Sequence, residues 1–139
     1  MRLAKRRVGL DLPVTQVHLS PLLTALIVTF FWAPWHVFLW YASGANVFSP
    51  NYWLNTYIHL ITASIILTWL YNRSKGNILV AGIGHAAANT IFDIITGIDM
   101  IMVHVVIYFA ALGLIIIDKM WRKLPANHPA VYSKASSTT

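Results

Sequence analysis

His85, Asn89 and Asp93 follow one another at intervals of four residues. On an α-helix such residues share a face, each step adding about 6 Å of rise and roughly 40° of rotation, so the three form one polar stripe. The stretch that carries them, Gly82 to Asp93, is otherwise mostly apolar. Imidazole can move a proton or ligate a metal, a carboxamide can hold an oxyanion, and a carboxylate can act as base. On an apolar, membrane-length segment such groups are costly unless they face a protein interior or a wet cavity, which makes them candidates for function. A second histidine ends Phe31-Trp32-Ala33-Pro34-Trp35-His36, where Trp32 and His36 share a helical face. Pro34 there removes a backbone donor and can kink the helix. Taken alone, His36 reads as a cap on a neighbouring carbonyl. Set beside the second histidine-bearing segment, His36, His85 and Asn89 become the candidate catalytic set, with Trp32, Trp35 and Asp93 around the substrate or cavity. His59 and Asn55 also share a face, and His59 could supply a third ligand, but an interhelical hydrogen bond of about 1 kcal/mol is the simpler reading. His18, His104 and His128 are assigned no chemistry.

The elements that hold these residues belong to a membrane. Of 139 residues, 58% are hydrophobic and 10% charged, with a mean hydropathy of +0.63, whereas a soluble domain is about one quarter charged. The net charge of +6 does not point to nucleic acid, because the ten basic residues sit in short clusters between apolar runs and leave no basic face to grip phosphates. With no cysteine, disulfides and thiolate chemistry are excluded. The acidic residues are Asp11, Asp93, Asp99 and Asp118, and there is no glutamate.

Four apolar runs predict an all-α, polytopic helical bundle with spans over residues 21–41, 52–71, 77–96 and 100–117, each near the twenty or so residues that cross about 30 Å of hydrocarbon. Ser20 as N-cap followed by Pro21 is a good helix start. The first run begins too late and is too long for the apolar region of a secretory signal. Trp53, Tyr57, Trp69 and Tyr71 mark the two ends of the second span, where amphipathic rings favour the interface. Gly82, Gly84 and Ala86 to Ala88 form a small-residue face suited to close helix packing. The chain divides into a basic segment (1–20), a transmembrane domain (21–118) and a polar tail (119–139), of which 125–139 has too little to bury and is expected to be disordered. All ten Lys and Arg residues fall before the first span, between the second and third, or after the fourth. Basic residues are retained on the cytoplasmic side, so both termini are expected there.

Trp32-Ala33-Pro34-Trp35-His36, then Trp69-Leu70-Tyr71-Asn72-Arg73, then Gly84-His85-Ala86-Ala87-Ala88-Asn89-Thr90 together resemble the later part of the CAAX-protease and bacteriocin-processing (CPBP, or Abi) family of intramembrane proteases. The likeness covers roughly residues 20–96. His36 matches the histidine of the family's Phe-x-x-x-His motif, with Trp32 in place of the phenylalanine, and His85 and Asn89 match His-x-x-x-Asn. The family's Glu-Glu-x-x-x-Arg motif, which lies upstream, has no counterpart here. The resemblance therefore implies either the C-terminal half of a longer protease, with the glutamate supplied by an upstream segment or a second chain, or a relative without the catalytic carboxylate.

What it implies about activity is endoproteolysis of a membrane-associated peptide or protein in a bacterial or archaeal plasma membrane, with His36 acting on the water and His85 and Asn89 donating to the oxyanion. If a divalent metal such as zinc takes part, His36 and His85 are its candidate ligands, although catalytic zinc normally takes three from the protein. Asp93 is the one carboxylate well inside a span, but two turns beyond His85 it is poorly placed to share a water. The other classes of function are a non-catalytic peptide-binding or self-immunity protein that keeps the cavity, and a haem bundle with paired histidines. Partners are membrane lipid and the peptide or protein substrate, with no nucleic acid. For the topology, single cysteines at Ser43→Cys, Ser74→Cys and Thr139→Cys should label from outside, inside and inside respectively; cytoplasmic labelling at 43 or protection there at 74 overturns it.

Overall fold

The computed structural model describes Gln16, residues 18–94 and residues 100–132, with the side chains at 50, 91–94, 100 and 132 left aside. The described residues form helices and turns with no strand. The helices are α1 (Pro21–Ala42), α2 (Pro50–Arg73), α3 (Ile78–Ile94), α4 (Met100–Ile117) and a single turn, α5 (Pro129–Tyr132). Two of them start with the same device. Ser20 Oγ accepts from the Leu23 amide at 3.3 Å and Ser49 Oγ from the Tyr52 amide at 3.2 Å, each serine followed by proline at the first helical position. The Ser49-Pro50 cap lengthens the second helix at its start relative to the expected 52–71. Helix α1 continues through Pro34. By length and composition, Pro21–Ala42 and Asn51–Arg73 can cross a membrane, whereas Ile78–Thr90 and Ile101–Ile117 are shorter apolar helical segments.

α2 is the centre of the packing. It lies against α1, α3, α4 and α5, and among the described residues no other pair of helices has contact of that extent. α1 meets it through Ala25, Thr29 and Ala33, which are at most 1% exposed and recur every four residues. Phe30, Phe31, Trp35 and Phe38 on the same helix are 64% or more exposed. Small residues inside and large ones outside is the pattern of helices packed in hydrocarbon, opposite to the apolar stripe of a soluble amphipathic helix. The Thr29 hydroxyl donates to the Ala25 carbonyl at 2.9 Å and lies 3.5 Å from that of Leu60 across the contact. Ala25, Ile65, Ala111 and Met120 join α1, α2 and α4 into one core cluster.

The small-residue face expected on α3 is narrower in the structure. A Cβ at Gly84 would stand 2.6 Å from Leu70 Cδ2, but one at Gly82 would meet nothing within 4 Å, and Ala86 to Ala88 are exposed. One glycine makes the close approach to α2.

At the ends of α2 and α4, Asp118 accepts from Trp69 Nε1 and, bidentately, from Arg73 Nε at 3.0 Å and Nη2 at 2.6 Å. Nearby, the Leu22 amide, one of the orphan donors of the first turn of α1, donates to the Met120 carbonyl at 2.9 Å. The chain after α4 then folds back. Ala130 is fully buried and its carbonyl lies 3.5 Å from the Tyr71 hydroxyl. Tyr71 is therefore a buried ring, 4% exposed, and not an interfacial one. The expectation of a disordered tail is corrected as far as residue 132; its remainder lies outside the described residues. Gly84→Val should lower stability by about 1–3 kcal/mol through overpacking against Leu70, while Gly82→Ala should leave it unchanged or raise it by up to about 1 kcal/mol, both read from thermal unfolding in detergent.

Candidate functional site

The indole of Trp32 touches both candidate histidines. Its ring centroid is 4.6 Å from that of His36, one turn further along α1, and 5.0 Å from that of His85 on α3, both edge-on. His36 Nδ1 lies 3.2 Å from the Trp32 carbonyl oxygen. A carbonyl only accepts, so Nδ1–H donates and the lone pair of the neutral ring sits on Nε2, the atom free to take a proton. On α3, Asn89 Nδ2 is 3.4 Å from His85 Nε2. The amide nitrogen only donates, so His85 Nε2 accepts and its Nδ1 carries the hydrogen. At 3.4 Å the contact is long and weak. The spacing of four residues thus does what it promises within each helix, and Trp32 joins the two helices.

Beside this group is a cavity of about 560 Å³, walled by Ile27, Val28, Phe31 and Trp32 of α1, Ser64, Leu67, Thr68 and Tyr71 of α2, Ile78, Ala81, Gly82 and His85 of α3, and Gln16. Trp32 and His85 belong to both the histidine group and the cavity wall. His36 and Asn89 are not in that wall. Trp35, expected near the substrate, is 64% exposed on another face of α1. The backbone of Asp93 continues α3, and its side chain lies outside the described residues.

His59 faces His104 of α4 with ring centroids 5.5 Å apart. This second imidazole pair joins α2 to α4. Among the described residues no three His, Asp or Glu side chains gather to hold a metal ion. Catalytic zinc normally takes three protein ligands, and with two imidazoles His36 and His85 do not fit such a site among the described residues.

Gln16, Ser64 and Thr68 escaped the sequence reading as cavity residues. Ser64, Thr68 and Tyr71 recur at four and three residues on one face of α2, a spacing that marks a polar stripe once that helix is seen to be central. Gln16, four residues before the helix cap, gave no such signal. Compared with protein-family models, curated proteins and solved structures, the chain matches none.

In spectra of the protein labelled at histidine, Trp32→Ala should shift the ring resonances of both His36 and His85 by removing the indole that lies against each. Trp35→Ala should move neither, and a shift confined to one histidine on Trp32→Ala would show that the indole does not join them.

Proposed function

We propose that the chain is a four-span membrane protein with both termini cytoplasmic, and that it works as an intramembrane endopeptidase of the CPBP type on membrane-associated peptides or proteins. The observation that carries the reading is the contact of Trp32 with His36 and His85, which brings the two matched motifs together across α1 and α3. The membrane part is supported by two helices of spanning length and by the large apolar residues exposed on α1, α3 and α4. α3 and α4, of 17 and 18 residues, would cover about 26 Å at 1.5 Å per residue, enough to cross a slightly thinned bilayer.

In this mechanism His36 Nε2 takes a proton from water as its oxygen attacks the peptide carbonyl. His85 Nδ1–H donates to the oxyanion while the Asn89 amide holds the ring through Nε2, and the proton passes from His36 to the leaving nitrogen. The imidazolium so formed calls for a carboxylate partner. Asp118, the one carboxylate among the described side chains, is engaged by Trp69 and Arg73. This favours a carboxylate partner for His36 from a segment carrying Glu-Glu-x-x-x-Arg, upstream or in a second chain. It also gives weight to a second reading, a non-catalytic peptide-binding or immunity protein.

Without that carboxylate, proton transfer through His36 loses its support, a cost within the roughly 10²- to 10⁴-fold that general acid–base catalysis contributes. The purified 139-residue chain should therefore cleave family-type peptides barely above background, and the glutamate-bearing segment, fused or added, should restore cleavage that His36→Ala or His85→Ala abolishes. Failure to restore it favours the binding reading, and robust cleavage by the chain alone, lost on Asp93→Asn, would make Asp93 the base.

A further inference from the structure

The cavity between α1, α2 and α3 has a chemistry that its neighbouring histidines do not explain. Among the described residues its wall holds no Lys, Arg, Asp or Glu, so they offer a charged ligand no counter-ion. It is nevertheless not wholly apolar. Ser64 is 2% exposed and Gln16 1%, and neither the Ser64 hydroxyl nor either atom of the Gln16 amide has a hydrogen-bond partner. An unpartnered buried polar group is costly in a folded protein and is commonly satisfied by a ligand or an ordered water. Thr68, one turn from Ser64, adds a second hydroxyl-bearing residue to the same wall.

A volume of about 560 Å³ falls in the range of small-molecule sites, and such sites combine apolar walls with a few placed polar groups. An extended peptide fits this wall badly. It would bring a donor and an acceptor with every residue, and Ile27, Val28, Leu67 and Ile78 can satisfy none of them. A ligand polar over one short segment and apolar over the rest matches it. Access is from the side, where the lining residues Phe31, Ile78 and Gly82 are exposed.

We infer that this cavity binds a single-chain, uncharged lipid whose polar part is a hydroxyl and ester group, the chemistry of a monoacylglycerol. The hydroxyl and ester pair with Ser64 and Gln16, and the acyl chain lies along Ile27, Val28 and Leu67. The inference rests on the membrane reading above but not on the peptidase reading, and the lipid occupies the cavity whether or not peptides are cut.

The test is photolabelling of the full chain in phosphatidylcholine nanodiscs with a diazirine-bearing monoacylglycerol, the adducts being mapped by mass spectrometry. Adducts should concentrate on 27–32 and 78–85. Excess unlabelled monoacylglycerol should displace them, whereas a fatty acid of equal length at pH 8 should not. Ser64→Ala should weaken labelling about five-fold, the loss of one neutral hydrogen bond. Ala81→Phe, which fills the cavity, should remove it, and Ser64→Ala, which leaves the packing volume nearly unchanged, keeps the test decisive if Ala81→Phe does not fold. A generic apolar photolabel in the same sample reports on the membrane reading separately, through Phe30 and Phe109. Generic labelling there with monoacylglycerol adducts spread evenly over α4, or with equal displacement by the fatty acid, overturns the lipid site while the membrane reading stands; absence of both labels overturns the two together.

Discussion

Among the described residues α2 is the helix with protein on several sides, and the other helices are held by what they share with it. This explains the distribution of polar side chains. Thr56, Thr62, Ser64 and Thr68, all of α2, are buried; Thr62 satisfies itself through the carbonyl one turn back, that of Ile58, at 2.8 Å, a bond that costs no partner on another helix. α3 closes its exposed Thr90 hydroxyl in the same way, on the Ala86 carbonyl at 2.9 Å. α4 shows solvent or lipid its Ile101, Met102, Val105, Val106 and Phe109.

Close packing and polar closure act at different ends of this centre. Along the middle of α2, Ala25, Thr29, Ala33 and Gly84 let neighbouring backbones approach, where dispersion does the work because hydrocarbon offers helices little hydrophobic reason to associate. Towards its C-terminal end directional bonds take over. Asp118 gathers Trp69 and Arg73, and Met120 gives its carbonyl to the start of α1. The guanidinium is 61% exposed, so the ion pair by itself contributes little; its bidentate geometry fixes where α4 ends relative to α2. The histidine group and the cavity lie between α1 and α3, whose relative position both depend on α2.

The all-helical character and the rough extents of the four longer helices were legible in the sequence because apolar runs of that length admit few other structures, and the i, i+4 relations of Trp32 with His36 and of His85 with Asn89 follow from helix geometry alone. Long-range partners were not legible. Nothing local says that Asp118 serves Trp69 and Arg73, that Tyr71 is covered from residue 130, or that Gly84 packs closely while Gly82 does not. The tail was misread for a related reason: Pro129-Ala130 is too short and too polar in context to suggest burial, and only the notch left by the α2–α3 turn gives it something to cover. Trp35 shows the limit within a motif, since three residues along the helix it points about 60° away from Trp32, and it is Trp32 that lies against His85.

That notch is set by Gly76. Its φ of +84° follows Lys75 at +59°, and a Cβ there would stand 3.0 Å from the Ala130 Cα and 3.3 Å from the Tyr71 hydroxyl. The turn and the segment that caps it are separated by about fifty residues of chain, so at ribosomal speeds of 5–20 residues per second the hairpin must stand uncovered for several seconds while the fourth helix is made. During that interval Tyr71 lacks the cover that Ala130 later gives it. Arrival of Ala130 is thus the last event of assembly at this end of the molecule, and a chain released before residue 130 would carry an unsealed hairpin that quality-control proteases can recognise.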